Sequence, residues 1–409
     1  MVNPKEVGRD LRESAPMTAM VRWPWVIHKF LFICLWLFFA AYLILWGHSL
    51  LAGSGLTDRW GNPVGGDFST LWVASSLARA GEPGAAYDYP RLTAAAQALF
   101  GTQPPLHWTY PPTFLLMALP LSLLPYPAAL ALWLITGLVA FLFVVHRLAP
   151  HPMTICLTLA FPATLLNLIT GQNGFLAAAL LGGGLLLLDS APFTGGLLLG
   201  LLTFKPHLAV LIPVALVAGR QWRALLGMVS AAGGLAAAST LILGFQVWVA
   251  FLPNLLFHGR ALPAGVLPLA RMPTVYSAIL LSGFGPAAAG ILQGMVMLGA
   301  VSAVAWTWRR KASAPVRSAV LVLSILLFTP YAFDYDLALL ALPLAWLGWE
   351  GHTQGWRPAM AIFLILSWLT PLLFQGLAAA TGLPVGPLIL GALLFLALRL
   401  KKPIAEVGR

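Results

Sequence analysis

Charge is the first thing this sequence has little of. Asp, Glu, Lys and Arg make up 9% of its 409 residues, where an ordinary soluble domain carries about 25%. Apolar residues reach 60% and the mean hydropathy is +0.88. A chain so poor in charge cannot clothe a soluble surface of this size, so a string of soluble domains is excluded and an all-α polytopic membrane protein is expected. Cysteine is scarcer still. Cys34 and Cys156 are the only two, and both lie in apolar runs, which leaves no basis for a disulfide framework or a thiolate metal site. No GxGxxG, Walker, HExxH or GxSxG element stands in a suitable context. Soluble nucleotide-sugar or ATP chemistry is therefore unsupported, and neither a cofactor nor a metal is expected.

Acids are the rarer sign, 12 against 23 Lys and Arg, for a net charge of +11. In a soluble protein such a surplus points to nucleic acid. Here the basic residues stand singly or in small groups between apolar runs, the pattern of cytoplasmic loops under the positive-inside rule, so no nucleic-acid partner is expected. The expected layout is a cytoplasmic segment over 1–25, a transmembrane domain over 26–399 and a cytoplasmic tail over 400–409, with both termini cytoplasmic. The stretch from Val26 to Gly47 is too long for a cleaved signal and reads as a signal anchor.

Beyond this anchor lies the one long polar segment, an outer loop over 48–112 holding Asp58, Asp67, Glu82 and Asp88 against Arg59, Arg79 and Arg91. Apolar Leu71, Ala74, Leu77 and Ala78 recur at helical spacing before Gly81, and a second short helix is expected over 91–100, both lying on the outer face. Spans are expected near 127–147, 153–169, 174–189, 224–245, 286–308, 316–330, 336–349, 358–376 and 382–399, with a second outer loop over 246–273. Two pieces leave the count open. If 113–124 crosses fully and 193–219 crosses once, Arg147 falls outside. If 113–124 dips and returns, and 193–219 is a pair of half-helices with Lys205 at the tip, Arg147 falls inside.

Polar residues left outside the cytoplasmic loops are the candidate functional groups. Asp67, between Gly65-Gly66 and a helix, reads either as a general base for an acceptor hydroxyl or as the N-cap of that helix. Asp88 in Tyr87-Asp88-Tyr89-Pro90 reads as a cap. Lys205, alone in a long apolar run, needs an anion: a lipid phosphate at a Pro-broken helix end, or an Asp of a neighbouring helix. Arg260 and Arg271 flank an outer loop and suit either phosphate or lipid headgroups. In Tyr331-Ala332-Phe333-Asp334-Tyr335-Asp336, two acids and two tyrosines suit sugar hydroxyls, although capping explains one of the acids. Gln172, in the turn Thr170-Gly171-Gln172-Asn173-Gly174, is open to the same pair of readings, sugar contact or turn chemistry.

Taken in order, these elements form a pattern. It runs Gly66-Asp67-Phe68, Gly81 to Tyr87-Asp88, Tyr110-Pro111-Pro112, Pro120 with Leu123-Leu124-Pro125, and Gly171-Gln172-Asn173. It continues through Gly195-Gly196, Gly200 and Phe204-Lys205-Pro206 to Arg220 and Arg223, then Pro330-Tyr331 and Asp334-Tyr335-Asp336. The chain resembles glycosyltransferase family 87, the polyprenol-phosphate-mannose-dependent α-1,2-mannosyltransferase group of the GT-C membrane superfamily, from about residue 30 to 350. That resemblance implies a GT-C-type fold of about 12 (11–13) spans in the cell inner (plasma) membrane, with the active site facing the periplasm or exterior. It implies inverting transfer of a hexose from a polyprenyl-phosphate donor to a lipid or glycan acceptor, with Asp67 as the base. Lys205, Arg271 and Arg260 would hold the donor phosphate, and Asp334, Tyr335, Asp336, Tyr331, Gln172, His207 and Tyr110 the sugar or acceptor. Some relatives carry a His pair where this chain reads Asp334-Tyr335-Asp336, which points to a different donor sugar or acceptor. The rival readings are a secondary transporter or lipid flippase, and a polysaccharide polymerase or ligase. No second copy of the 48–112 loop or of the Lys205-Pro206 break speaks for a transporter's internal repeat.

Overall fold

The computed structural model describes residues 25–399 apart from 54, 102–106, 265, 311, 356–357 and 382–384. The expected cytoplasmic head, except for its last residue, and the tail over 400–409 lie outside the described residues. Among the described residues there is no strand, only an isolated antiparallel bridge between Thr57 and Pro63.

Helix α1 (Trp25–Leu51) leads into the polar segment, which carries α2 (Phe68–Arg79) and α3 (Tyr89–Phe100), as the apolar spacing predicts. Then come α4 (Pro112–Ala118), α5 (Tyr126–Leu148), α6 (Pro152–Leu159), α7 (Pro162–Thr170) and α8 (Gly174–Leu187). The broken apolar stretch forms α9 (Pro192–Leu201), α10 (Pro206–Ala209) and α11 (Leu211–Ala218), followed by α12 (Trp222–Leu243) and α13 (Gln246–Ala261). The rest is α14 (Val275–Leu281), α15 (Pro286–Arg309), α16 (Ala314–Phe328), α17 (Ala341–Gln354), α18 (Pro358–Thr381) and α19 (Val385–Arg399). Proline is the first residue of α4, α6, α7, α9, α10, α15 and α18. Its missing N–H and fixed φ suit that first position, so these breaks are written locally, although Pro253 and Pro371 lie inside α13 and α18.

By length and apolarity, α5, α12 and α15 qualify to cross a membrane, and α6–α7, bent by 53°, makes a fourth if it is one span. Among the described residues, eight further apolar helical stretches are 10–17 residues long. The expected count of about twelve is finer than this.

Contacts sort the helix ends. At one end Trp72 Nε1 donates to the Leu124 carbonyl, Tyr126 OH to that of Val64 and Tyr87 OH to that of Tyr110. At the other, the rings of His151 and His352 meet at 5.3 Å, Asp189 pairs with Arg317, and Gly219 abuts Trp308. Residues 113–124 therefore dip into the bundle and come back to the end they left. Residues 193–219 form a hairpin with Lys205 at its tip, and Arg147, at the far end of α5, lies at the opposite end from Asp67.

Glycine packs the first arm of the hairpin tightly against its neighbours. A Cβ on Gly196 would run into the carbonyl of Ala224, one on Gly200 into that of Met228, and one on Gly227 into that of Phe193, so α9 and α12 touch backbone to backbone. On its other side α9 meets α8, where a Cβ on Gly195 would lie 2.8 Å from the Gly184 oxygen. Without water to drive helices together, such close approach is what holds them. Gly196→Val is expected to destabilise the detergent-solubilised protein by about 1–3 kcal/mol in thermal unfolding. Gly234→Ala, with nothing within 4 Å of its Cβ, is expected to leave unfolding unchanged or slightly later.

Candidate active site

Six of the candidate residues line one cavity of about 260 Å³ at the end of the bundle that carries α2. Five chain segments line it: Asp67, Thr70 and Leu71 at the start of α2; His107 to Tyr110 before α4; Gly171 to Asn173 between α7 and α8; Pro268 and Arg271 before α14; and Tyr331, Phe333 and Tyr335 between α16 and α17.

Asp67 holds the N-cap position of α2 but does not cap it. Its backbone is already helical, at φ −66° and ψ −17°, and its side chain accepts no bond from the first turn. The N–H groups of Phe68, Ser69 and Thr70 go instead to the carbonyls of Gly65, Gly66 and Asp67. Its carboxylate turns to the cavity, where Oδ2 accepts from Gln172 Nε2 at 2.7 Å. The side chain is exposed to the cavity, yet protein atoms crowd around it on the other sides. That desolvation raises its pKa above the ordinary carboxylate value, with Asp334 adding to the rise, against the opposing pull of the Gln172 hydrogen bond and of the Arg271 and Lys205 charges. Asp88, by contrast, caps α3 as expected, accepting from Arg91 N at 3.2 Å.

Behind the cavity wall lie two ion pairs. Lys205 Nζ sits 2.6 Å from Asp336 Oδ1, and both side chains are only 2% exposed. Arg271 grips Asp334 with Nε at 2.8 Å and Nη2 at 3.0 Å, a bidentate fork in which Asp334 is buried and Arg271 reaches the cavity. The remaining carboxylate capacity goes to backbone: Asp336 Oδ2 accepts from Phe333 N and Asp334 Oδ1 from Tyr335 N. The neighbouring-helix carboxylate is thus the partner Lys205 finds.

Of the residues expected at the site, Asp67, Arg271, Tyr331, Tyr335, Gln172 and Tyr110 line the cavity. Asp334, Asp336 and Lys205 do not; they form the layer behind it. His207 packs edge-on against Tyr331, with ring centroids 5.6 Å apart. The Arg260 side chain lies outside the described residues. Among the described residues no three His, Cys, Asp or Glu side chains gather within reach of one metal ion.

Two buried amides are absent from the residues expected at the site, because an ionisable group stands out in an apolar run and a neutral one does not. Asn167 donates to the carbonyls of Ala163 and Tyr335 and accepts from Gly174 N, tying the Asp334–Asp336 segment to the start of α8. Gln293 donates to the carbonyls of Leu327 and Phe328 and accepts from Tyr276 N, joining the end of α16 to α14. A lone Asn or Gln in an apolar helix is costly unless it bonds, and both positions carry that signal in the sequence.

Residues 108–330, more than half of the chain, match the model of glycosyltransferase family 87. The chain belongs to this family. No curated protein and no solved structure matches it. A family 87 member is a membrane glycosyltransferase, which accounts for a polar cavity set in an apolar bundle. The matched range begins at Trp108 and ends at Pro330. It takes in the Gln172 turn, Lys205 and Arg271, while Asp67 and the Asp334–Asp336 pair are joined to them by geometry alone.

Lys205→Met, which strands a buried Asp336, is expected to lower stability by about 3–5 kcal/mol. Lys205→Met combined with Asp336→Leu should recover most of that loss, because neither charge is then left unpaired. Chemical unfolding of the purified protein in detergent measures both.

Proposed function

We propose that this glycosyltransferase moves a hexose, mannose by its resemblance, from a polyprenyl-phosphate donor to a lipid or glycan acceptor, with inversion. In this reading the fold is GT-C-type with about twelve spans, the termini are cytoplasmic, and the cavity opens on the outer face of the plasma membrane. The observation that carries the reading is Asp67: a carboxylate that declines its capping role, faces a polar and aromatic cavity, and stands among cations already paired elsewhere. Membership of a glycosyltransferase family favours transfer over transport or lipid flipping.

The chemistry rests on these positions. One Asp67 oxygen is held by Gln172; the other takes the proton of the acceptor hydroxyl as its oxygen attacks C1 of the donor sugar. The C1–O bond breaks on the opposite face and its electrons leave with the polyprenyl phosphate. Arg271, the one Lys or Arg among the described residues lining the cavity, meets that phosphate. Asp334 holds the guanidinium in orientation beforehand, so little reorganisation is needed as charge develops. The rings of Trp108, Tyr110, Phe333 and Tyr335 offer flat faces for a sugar and exclude water around it. Lys205 and Asp336, together neutral, support the wall on which Tyr335 sits, the ammonium lying 4.9 Å from that ring's centroid.

Asp67→Asn is expected to cut transfer from a polyprenyl-phosphate hexose by roughly 10²–10⁴-fold while leaving expression and thermal unfolding near wild type. Arg271→Gln should cost roughly 10²–10³-fold. Wild-type-like transfer by Asp67→Asn in purified membranes removes Asp67 from the base role.

The raised pKa of Asp67 also fixes a direction in pH. A base works deprotonated, so the rate is full above that pKa and falls as pH drops through it. The acid limb of kcat/KM is therefore expected above about 3.9, the ordinary Asp value, and a pH–rate profile in detergent or nanodiscs measures it.

A further inference from the structure

Two glycine turns interlock at the cavity. Gly65 and Gly66, at φ +83° and +50°, precede Asp67, and Gly171, at φ +60°, precedes Gln172. A Cβ on Gly171 would lie 2.5 Å from both the Gly65 carbonyl oxygen and Phe68 Cβ; one on Gly66 would lie 3.1 Å from Thr170 Cα. Only glycine permits both the left-handed backbone and the approach. Helix α5 fastens each turn from the side, Tyr126 OH donating to the Val64 carbonyl and Trp133 Nε1 to that of Gly171. Asp67 and Gln172, 105 residues apart, are thereby held in register.

The Gln172 amide has one orientation that satisfies its neighbours. Tyr110 OH at 3.3 Å and Asn173 N at 3.4 Å both donate to Oε1, which turns the NH₂ group toward Asp67 Oδ2. Tyr110 is itself placed by its carbonyl, which accepts from Tyr87 OH at 3.0 Å. A neutral donor suits a base. It holds one oxygen and favours the anion that burial disfavours, without the strong depression of basicity that a Lys or Arg in the same place imposes. The two nearby cations are each committed to a carboxylate of their own.

We propose that Gln172 is the positioning residue of Asp67, holding one oxygen so that the other meets the acceptor hydroxyl, and that Tyr110 sets the orientation of its amide. This rests on the reading of Asp67 as the base. The other ionisable groups facing Asp67 are Arg271, Lys205 and Asp334, together with Tyr110, Tyr331, Tyr335 and His107 around the cavity, and the Gln172 variants leave all of them in place.

Two readouts on the full-length protein test it. The first needs no substrate: carbodiimide with glycine ethyl ester labels protonated carboxyls, and mass spectrometry follows Asp67 labelling against pH. Gln172→Leu should move the labelling midpoint up by about one pH unit. Gln172→Glu, of the same shape, should move it further because two carboxylates then share the site, and Tyr110→Phe should move it less than either. The second readout is transfer from polyprenyl-phosphate mannose to an alkyl mannoside. There Gln172→Leu should lose roughly ten- to a hundredfold in kcat with KM within about twofold, and the acid limb of the pH profile should follow the labelling midpoint. An unchanged midpoint in both Gln172 variants overturns the proposal, whatever their activity. If Asp67→Asn is inactive while the Gln172 variants match wild type in both readouts, only the positioning role falls. If the midpoint shifts yet Asp67→Asn transfers normally, the contact stands and the base assignment falls.

Discussion

A charge inside an apolar bundle must be neutralised where it stands, and the site end of this protein is organised by that demand. Asp334 and Asp336, two residues apart, each neutralise a cation from a different part of the chain: Arg271 from the segment before α14, and Lys205 from the tip of the α9–α11 hairpin. Breaking either pair exposes an uncompensated buried ion, a larger penalty than the net gain from forming it. The pairs therefore act less as a source of stability than as a constraint on register. They decide which segments meet, and the cavity is the space left between those segments.

Neutral polar groups complete what the ions begin. Asn167 and Gln293 each satisfy three backbone groups near the link that carries the two acids, where an irregular backbone runs among apolar helices. Glycine does the corresponding work for shape. Backbone contact of α9 with α8 and α12 sets the depth of the Lys205 tip, and the interlocked turns at Gly65, Gly66 and Gly171 set the distance from Asp67 to Gln172. Within one cavity the protein thus separates two electrostatic roles. The cations are balanced by dedicated carboxylates, and the carboxylate read as the base keeps an amide.

Much of the local structure is legible residue by residue. Proline at the heads of α4, α6, α7, α9, α10, α15 and α18 marks the breaks, because its effect on φ and on hydrogen bonding is confined to its own turn. Asp88 as a cap is legible for the same reason, since the bond it makes spans three residues. Asp67 is not: its position before a helix fits a cap equally well, and only the backbone bonds of the first turn, together with a donor from Gln172, remove that alternative. For Lys205 the sequence poses the need for an anion and offers two; the fold supplies Asp336.

By itself, then, the sequence determined the class of environment, the all-helical build and the short inventory of charges that violate an apolar setting, because composition and helix punctuation are local properties of the chain. The tertiary structure decided which of those charges meet. The contacts that define the site join residues 105, 131 and 63 positions apart, Gln172 to Asp67, Lys205 to Asp336 and Arg271 to Asp334. No local preference reaches so far. Such pairings are set by how helices pack, and here that rests on a few glycines whose missing side chains let backbones touch.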